Sequence, residues 1–98
     1  MAAREAASDC VVDALTNHWW CQNKPGIRGR WAGQTVGHLN SATSWFTCRY
    51  EGDPTGGDGR HPERWIHTLD DTHLQNHGGW GFVKDSDVIE ETTPLPRC

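Results

Sequence analysis

The sequence predicts a small, mainly β domain, with short strands rolled into a barrel and an N-terminal segment and a C-terminal tail stapled to it. Three observations predict this. Arg64–Leu69 (RWIHTL) is a short run of Trp and β-branched residues. Residues 78–83 (GGWGFV) are a Gly-Gly turn feeding a second such run, with Trp80 and Phe82 on one face by period-two alternation. Four cysteines, the last ending a Pro-rich tail, supply the staples.

Size and composition agree. Ninety-eight residues make one domain at most. Leu, Ile, Val and Phe are 15 of the 98, below the roughly one-fifth at which disorder becomes a concern when net charge is also high. Here the net charge is only −4 and there are six Trp. Each aromatic buries roughly 150–250 Å², so a small aromatic core held by staples replaces the missing aliphatics. An even cysteine count in so short a chain (Cys10, Cys21, Cys48, Cys98) fits two disulfides and an oxidising compartment. A zinc site and redox catalysis both lack a CxxC.

No run is long and apolar enough to span a membrane. The opening MAAREAAS has no apolar h-region and reads as a start residue placed on a mature secreted sequence, which makes the expected location extracellular. Residues 1–50 carry +2 and residues 51–98 carry −6. With no basic stripe, nucleic acid is not an expected partner, and neither is a membrane. The acidic half is a solvated face.

Taken in order, residues 1–9 are an Ala-rich flexible tail and residues 10–98 the domain. Residues 9–20 place Val11, Val12, Leu15 and Trp19 at helical spacing behind Asp9 as N-cap. They form either one short helix or an irregular loop held by a Cys10–Cys21 bridge. Asn23-Lys24-Pro25-Gly26 is a turn. Residues 30–33 and Gln34–Leu39 are short strands broken by Gly. Residues 40–44 turn, and residues 45–51 form the clearest strand, with aromatics on both faces. Residues 52–63 (GDPTGGDGRHPE) are a surface loop. Arg64–Leu69 is a strand, residues 70–79 a loop, Trp80–Lys84 a strand and Asp85–Asp87 one turn of 3₁₀ helix. Residues 88–90 close the barrel and residues 92–98 are the tail.

The order of Trp65, then Gly79-Trp80-Gly81-Phe82-Val83, then Asp85-Ser86-Asp87-Val88 resembles bacterial SH3-like β-barrels. In that family a Trp opens one central strand, and a Gly-Trp-x-aromatic-Val strand leads into a 3₁₀ turn. SWFTC, RWIHT, GGWGFV and the terminal PLPRC are similar, more narrowly, to small secreted SH3-like proteins of actinobacteria, over residues 30–98. The resemblance implies that Cys48 pairs with Cys98, leaving Cys10 with Cys21, where sequence alone allows three connectivities. It also implies that Trp65 and Trp80 are core or groove-lining.

Catalytic and metal patterns are weak. Six His are present without an HExxH or H-x-H cluster, and they read as surface or loop residues; a weak pair, His73 with His77, is the one metal alternative. Asp70-Asp71 are adjacent, whereas glycosidase carboxylates face each other at roughly 5–10 Å. Paired cysteines leave no nucleophilic thiol, and no GxSxG is present. The expectation is a non-enzyme with no cofactor and no metal.

The Trp set carries the functional signal. Trp is seldom fully buried, and six cannot all be interior in so small a domain. Trp19 and Trp20 are adjacent and point differently; packing onto the barrel is the plain role for the pair. Trp19, Trp20, Trp45, Tyr50, Trp65 and Trp80, with Arg4 in the tail, are the expected partner-binding residues. The leading expectation is a secreted adaptor that joins other secreted proteins. The resemblance adds that some small actinobacterial proteins of this size are subunits of secreted polymorphic toxin particles (umbrella toxins). The alternatives are a cell-wall-peptide binder with Trp45, Tyr50, Trp65 and Trp80 in one groove, and a hydrolase inhibitor with Arg60 at a loop tip.

Overall fold

Asp13 and Asn17 decide the N-terminal structure. The Asp13 carboxylate accepts the Leu15 N–H at 3.1 Å, the Thr16 hydroxyl accepts the His18 N–H at 3.3 Å, and Asn17 takes a left-handed φ of 61°. These are turn devices that compete with a helix. Residues 9–20 are therefore neither the helix nor the irregular loop expected. They form a hairpin of β1 (Val11–Asp13) and β2 (His18–Gln22), and Leu15, counted as helical core, is 97% exposed at its tip. The Cys10–Cys21 disulfide closes the open end of this hairpin.

The structure, a computed structural model, describes residues 8–57, 59–73 and 77–98. The remaining strands are β3 (Ile27–Trp31), β4 (Gln34–Leu39), β5 (Thr43–Phe46), β6 (Cys48–Glu51), β7 (Arg64–Leu69), β8 (Thr72–His73) and β9 (Trp80–Lys84), and Asp85–Asp87 is a 3₁₀ turn. Among the described residues they make a three-stranded sheet, β1-β2-β5, and a six-stranded sheet, β6-β7-β9-β3-β4-β8. Ala32 and Gly33, at φ 50° and 81°, make the two-residue turn between β3 and β4. Such hairpins need positive φ at both turn positions.

Two expectations are corrected here. Residues 45–51 are not one strand: the chain leaves one sheet and enters the other at Thr47, whose N–H donates to the His67 carbonyl at 2.9 Å. Nor is the barrel closed, since β6 and β8 remain the two ends of the larger sheet. Residues 88–91 instead strap the small sheet. Val88 bridges Asn23, the Ile89 N–H donates to the Gln22 carbonyl at 2.7 Å, and the Cys10 N–H donates to the Glu91 carbonyl at 3.0 Å.

The core is aliphatic and sulfurous rather than aromatic. Ile27, Leu39, Phe46, Ile66, Val83, Val88 and Leu95 pack with Cys10 and Cys21, and Trp19 leans on them half-buried. The Cys48–Cys98 disulfide pins the tail, which seats Leu95 and lets its carbonyl accept Arg49 Nε at 2.8 Å. Beside it lies an ion cluster. Buried Arg64 meets Glu51 (3.3 Å) and Glu91 (3.6 Å) and donates to Thr92 at 3.0 Å, while Thr92 donates to Asp85.

Candidate functional site

Alternation along β7 buries Arg64, Ile66 and Thr68 and turns Trp65, His67 and Leu69 outward. Direct cross-strand partners share a face, so register extends this outward set across the sheet. Tyr50, Trp65 and Lys84 form one row, and Cys48, His67, Phe82 and Arg30 the next; Leu69 pairs with Trp80. On β2 and β5 the same rule turns His18, Trp20 and Trp45 outward and Trp19, Cys21, Ser44 and Phe46 inward.

The two outward faces join into one run of rings. His18 stacks on Trp45 at 3.8 Å and 4°, and Trp45 meets Trp80 edge-on at 5.9 Å. Trp80 stacks on His67 at 5.2 Å, and His67 meets Phe82 at 5.0 Å. Phe82 then contacts Trp31 at 5.8 Å and Tyr50 at 6.2 Å. None of the six Trp is fully buried; Trp20, Trp31, Tyr50 and Trp80 stay between 37% and 45% exposed. Burial holds the His67 ring below its ordinary pKa of 6.5, and its Nδ1 lies 2.6 Å from the Thr47 hydroxyl. The run is therefore uncharged at neutral pH at its centre.

At the β3–β9 end the rings border a groove of about 670 Å³. Trp31, Tyr50, Trp65 and Phe82 wall it, Arg30 lies at one side, and the 53–55 loop covers the other; the Trp65 indole N–H donates to the Asp53 carbonyl at 3.0 Å, which fixes that loop. The volume is in the range of small-ligand or peptide sites.

Of the expected site residues, Tyr50 and Trp65 line the groove. Trp45 does not: it lies on the other sheet, beyond Trp80, so the four-residue groove expected of Trp45, Tyr50, Trp65 and Trp80 is divided. Trp20 is outward beside Trp45, and Trp19 is turned to the core. Arg4 lies outside the described residues, as do the side chains of His73 and His77. Sequence reasoning missed Trp31, Phe82, His18 and His67. For Phe82 and His67 the signal was there, since each alternates with a Trp already chosen on the same strand.

Other candidate groups are engaged elsewhere. Asp70 and Asp71 point apart: the Asp70 carboxylate is buried over Gly29 and Gly37, where any Cβ would collide with it, and Asp71 accepts the N–H groups of Asn40 (2.8 Å) and Ser41 (3.2 Å). Arg60 is not a free loop-tip anchor. Its guanidinium meets Glu91 at 3.2 Å and donates to the carbonyls of Ile89 (2.9 Å) and Glu90 (3.2 Å).

Comparison with protein-family models, curated proteins and solved structures gives no match. The two disulfides are compatible with an extracellular protein, and no described helix is long and apolar enough to cross a membrane.

Proposed function

We propose that the protein is a non-catalytic secreted binding module, an adaptor that holds another secreted protein on its outward aromatic face. The observation that carries this reading is the unbroken run of rings from His18 and Trp45 through Trp80 and His67 to Phe82, Tyr50 and Trp31. It spans both sheets, more than a small ligand covers, and half-exposed Trp and Tyr are the residues that dominate protein interfaces. Exposed Val11 and Trp20, cross-strand partners on that face, continue it onto the N-terminal hairpin. The SH3-like resemblance, which rests on sequence motifs, and a place in a toxin particle, which rests on the single small domain, the Ala-rich tail and the surplus Trp, belong to the same proposal.

The test is capture of secreted proteins by the oxidised protein and by a Trp45→Ala/Trp80→Ala variant. Loss of the captured protein with the variant is the expected result; equal capture would remove this face as the docking surface.

A second reading, binding of cell-wall peptide, is favoured by the groove alone, whose size and aromatic walls suit one small ligand. Purified walls should then retain the wild type and release a Trp65→Ala variant. Retention of both would exclude the groove.

A further inference from the structure

The protein is acidic overall, yet three of the four described cations that make no ion pair with a described residue are gathered at one place. Among the described residues, Arg49, Arg60 and Arg64 pair with Glu51 or Glu91, and Lys24 pairs with Asp87. Arg97, in the tail, is the fourth without an ion pair to a described residue, and its charge acts on Glu51 from a distance. The remaining three, Arg28, Arg30 and Lys84, make no ion pair with described residues, and all three line one recess of about 200 Å³. Asp87, at its rim, is the carboxylate already held by Lys24 at 3.9 Å.

Register explains the gathering. Arg30 pairs with Phe82 in antiparallel strands. Arg28 precedes Arg30 by two residues and Lys84 follows Phe82 by two, so both lie one step along the same face. Lys84 in turn is the cross-strand partner of Trp65. Arg30 lines both the recess and the aromatic groove. The basic recess and the groove are therefore one continuous site, apolar on one side and cationic on the other.

We propose that this site takes an acidic segment of the protein partner, with an apolar or aromatic side chain in the groove and carboxylates on Arg28, Arg30 and Lys84. The inference deepens the adaptor reading and rests on it. Guanidinium groups favour carboxylates through paired, charge-assisted hydrogen bonds. A peptide is the occupant because the rings run on from Phe82 in the groove through His67 to the Trp80–Trp45 face, which needs a protein surface to cover it.

The probe is a random peptide library displayed on phage and selected on the oxidised protein. The expected consensus is one aromatic or large apolar residue followed closely by two or more Asp or Glu. A synthetic consensus peptide should bind an Arg28→Gln/Lys84→Gln variant about tenfold more weakly, with a similar loss on raising salt from about 0.05 to about 0.5 M. The variant's unfolding midpoint, unchanged because neither side chain makes an ion pair with a described residue, separates this from misfolding. An aromatic consensus without acids would overturn the proposal and leave the partner face standing. No enrichment, or binding of polygalacturonate that the same variant abolishes, would overturn the peptide assignment and give the recess to an acidic glycan.

Discussion

Ala32 shows how one residue can hold a turn at a cost. Its φ of 50° lies in the left-handed region, which a non-Gly residue adopts only with strain. Asn before Gly33 removes much of that strain. Ala32→Asn should stabilise the fold by about 0.5–1 kcal/mol, read as a higher urea midpoint with both disulfides intact. Glu91 shows charge at the same scale. Burial pushes its carboxyl up, but bonds from Thr93 and His61 and the His61 charge outweigh this and hold it at about 2, against an ordinary 4.5. Glu51 is also lowered, with burial opposed by a bond from Arg64 and by the charges of Arg64, Arg49 and Arg97. The Glu91 stabilisation is thus fully present above about pH 4.5 and is lost as pH falls toward about 2, and that of Glu51 is lost in the same direction. Asp85 acts in the opposite sense, raised by burial against the Thr92 bond and nearby cations, so acid relieves part of the loss. Urea midpoints should fall between about pH 6 and about pH 3, and Glu91→Gln should flatten that fall. An equally steep fall in the variant would remove Glu91 as its source.

The two staples act on different elements. Cys10–Cys21 closes a separation of 11 residues and Cys48–Cys98 one of 50. Restriction of the unfolded chain makes these worth about 3 and about 4 kcal/mol. The second also holds the tail, where the Arg49 N–H donates to the Pro96 carbonyl and the Cys98 N–H to the Arg49 carbonyl, both at 2.9 Å. Cys48→Ser/Cys98→Ser should therefore cost more than Cys10→Ser/Cys21→Ser in chemical unfolding, and the reverse order would contradict the tail's role. Element boundaries were legible where alternation was clean: Arg64–Leu69, Trp80–Lys84 and Asp85–Asp87 stand as read. The N-terminal hairpin was not, because Val11, Val12, Leu15 and Trp19 fit a helical period by chance while the Asp13 and Thr16 turn bonds set the chain's direction. The break at Thr47 was hidden too, since a change of sheet leaves alternation intact on both sides.

At the scale of the whole molecule, the division of labour between residue types differs from the one composition implied. A chain poor in aliphatics was expected to use Trp as core. It builds the core from its few aliphatics, Phe46 and two half-cystines, and turns its Trp, Trp19 apart, toward solvent. That several Trp would lie toward solvent was therefore legible, but their grouping was not, because it depends on register between strands far apart in sequence. Trp45 and Tyr50 are near neighbours in the chain yet sit at opposite ends of the face, while Trp31 and Phe82 meet across β3 and β9. The central claim is that this exposed face is kept for a partner. Its most direct test is quantitative capture from the producing culture's supernatant, with oxidised wild type and the Trp45→Ala/Trp80→Ala variant as parallel baits and bound proteins counted by mass spectrometry. The expected result is one or two secreted proteins at near-stoichiometric yield on the wild type, falling at least about tenfold on a variant that remains folded. Capture by neither bait, or the same proteins at equal yield on both, would contradict it.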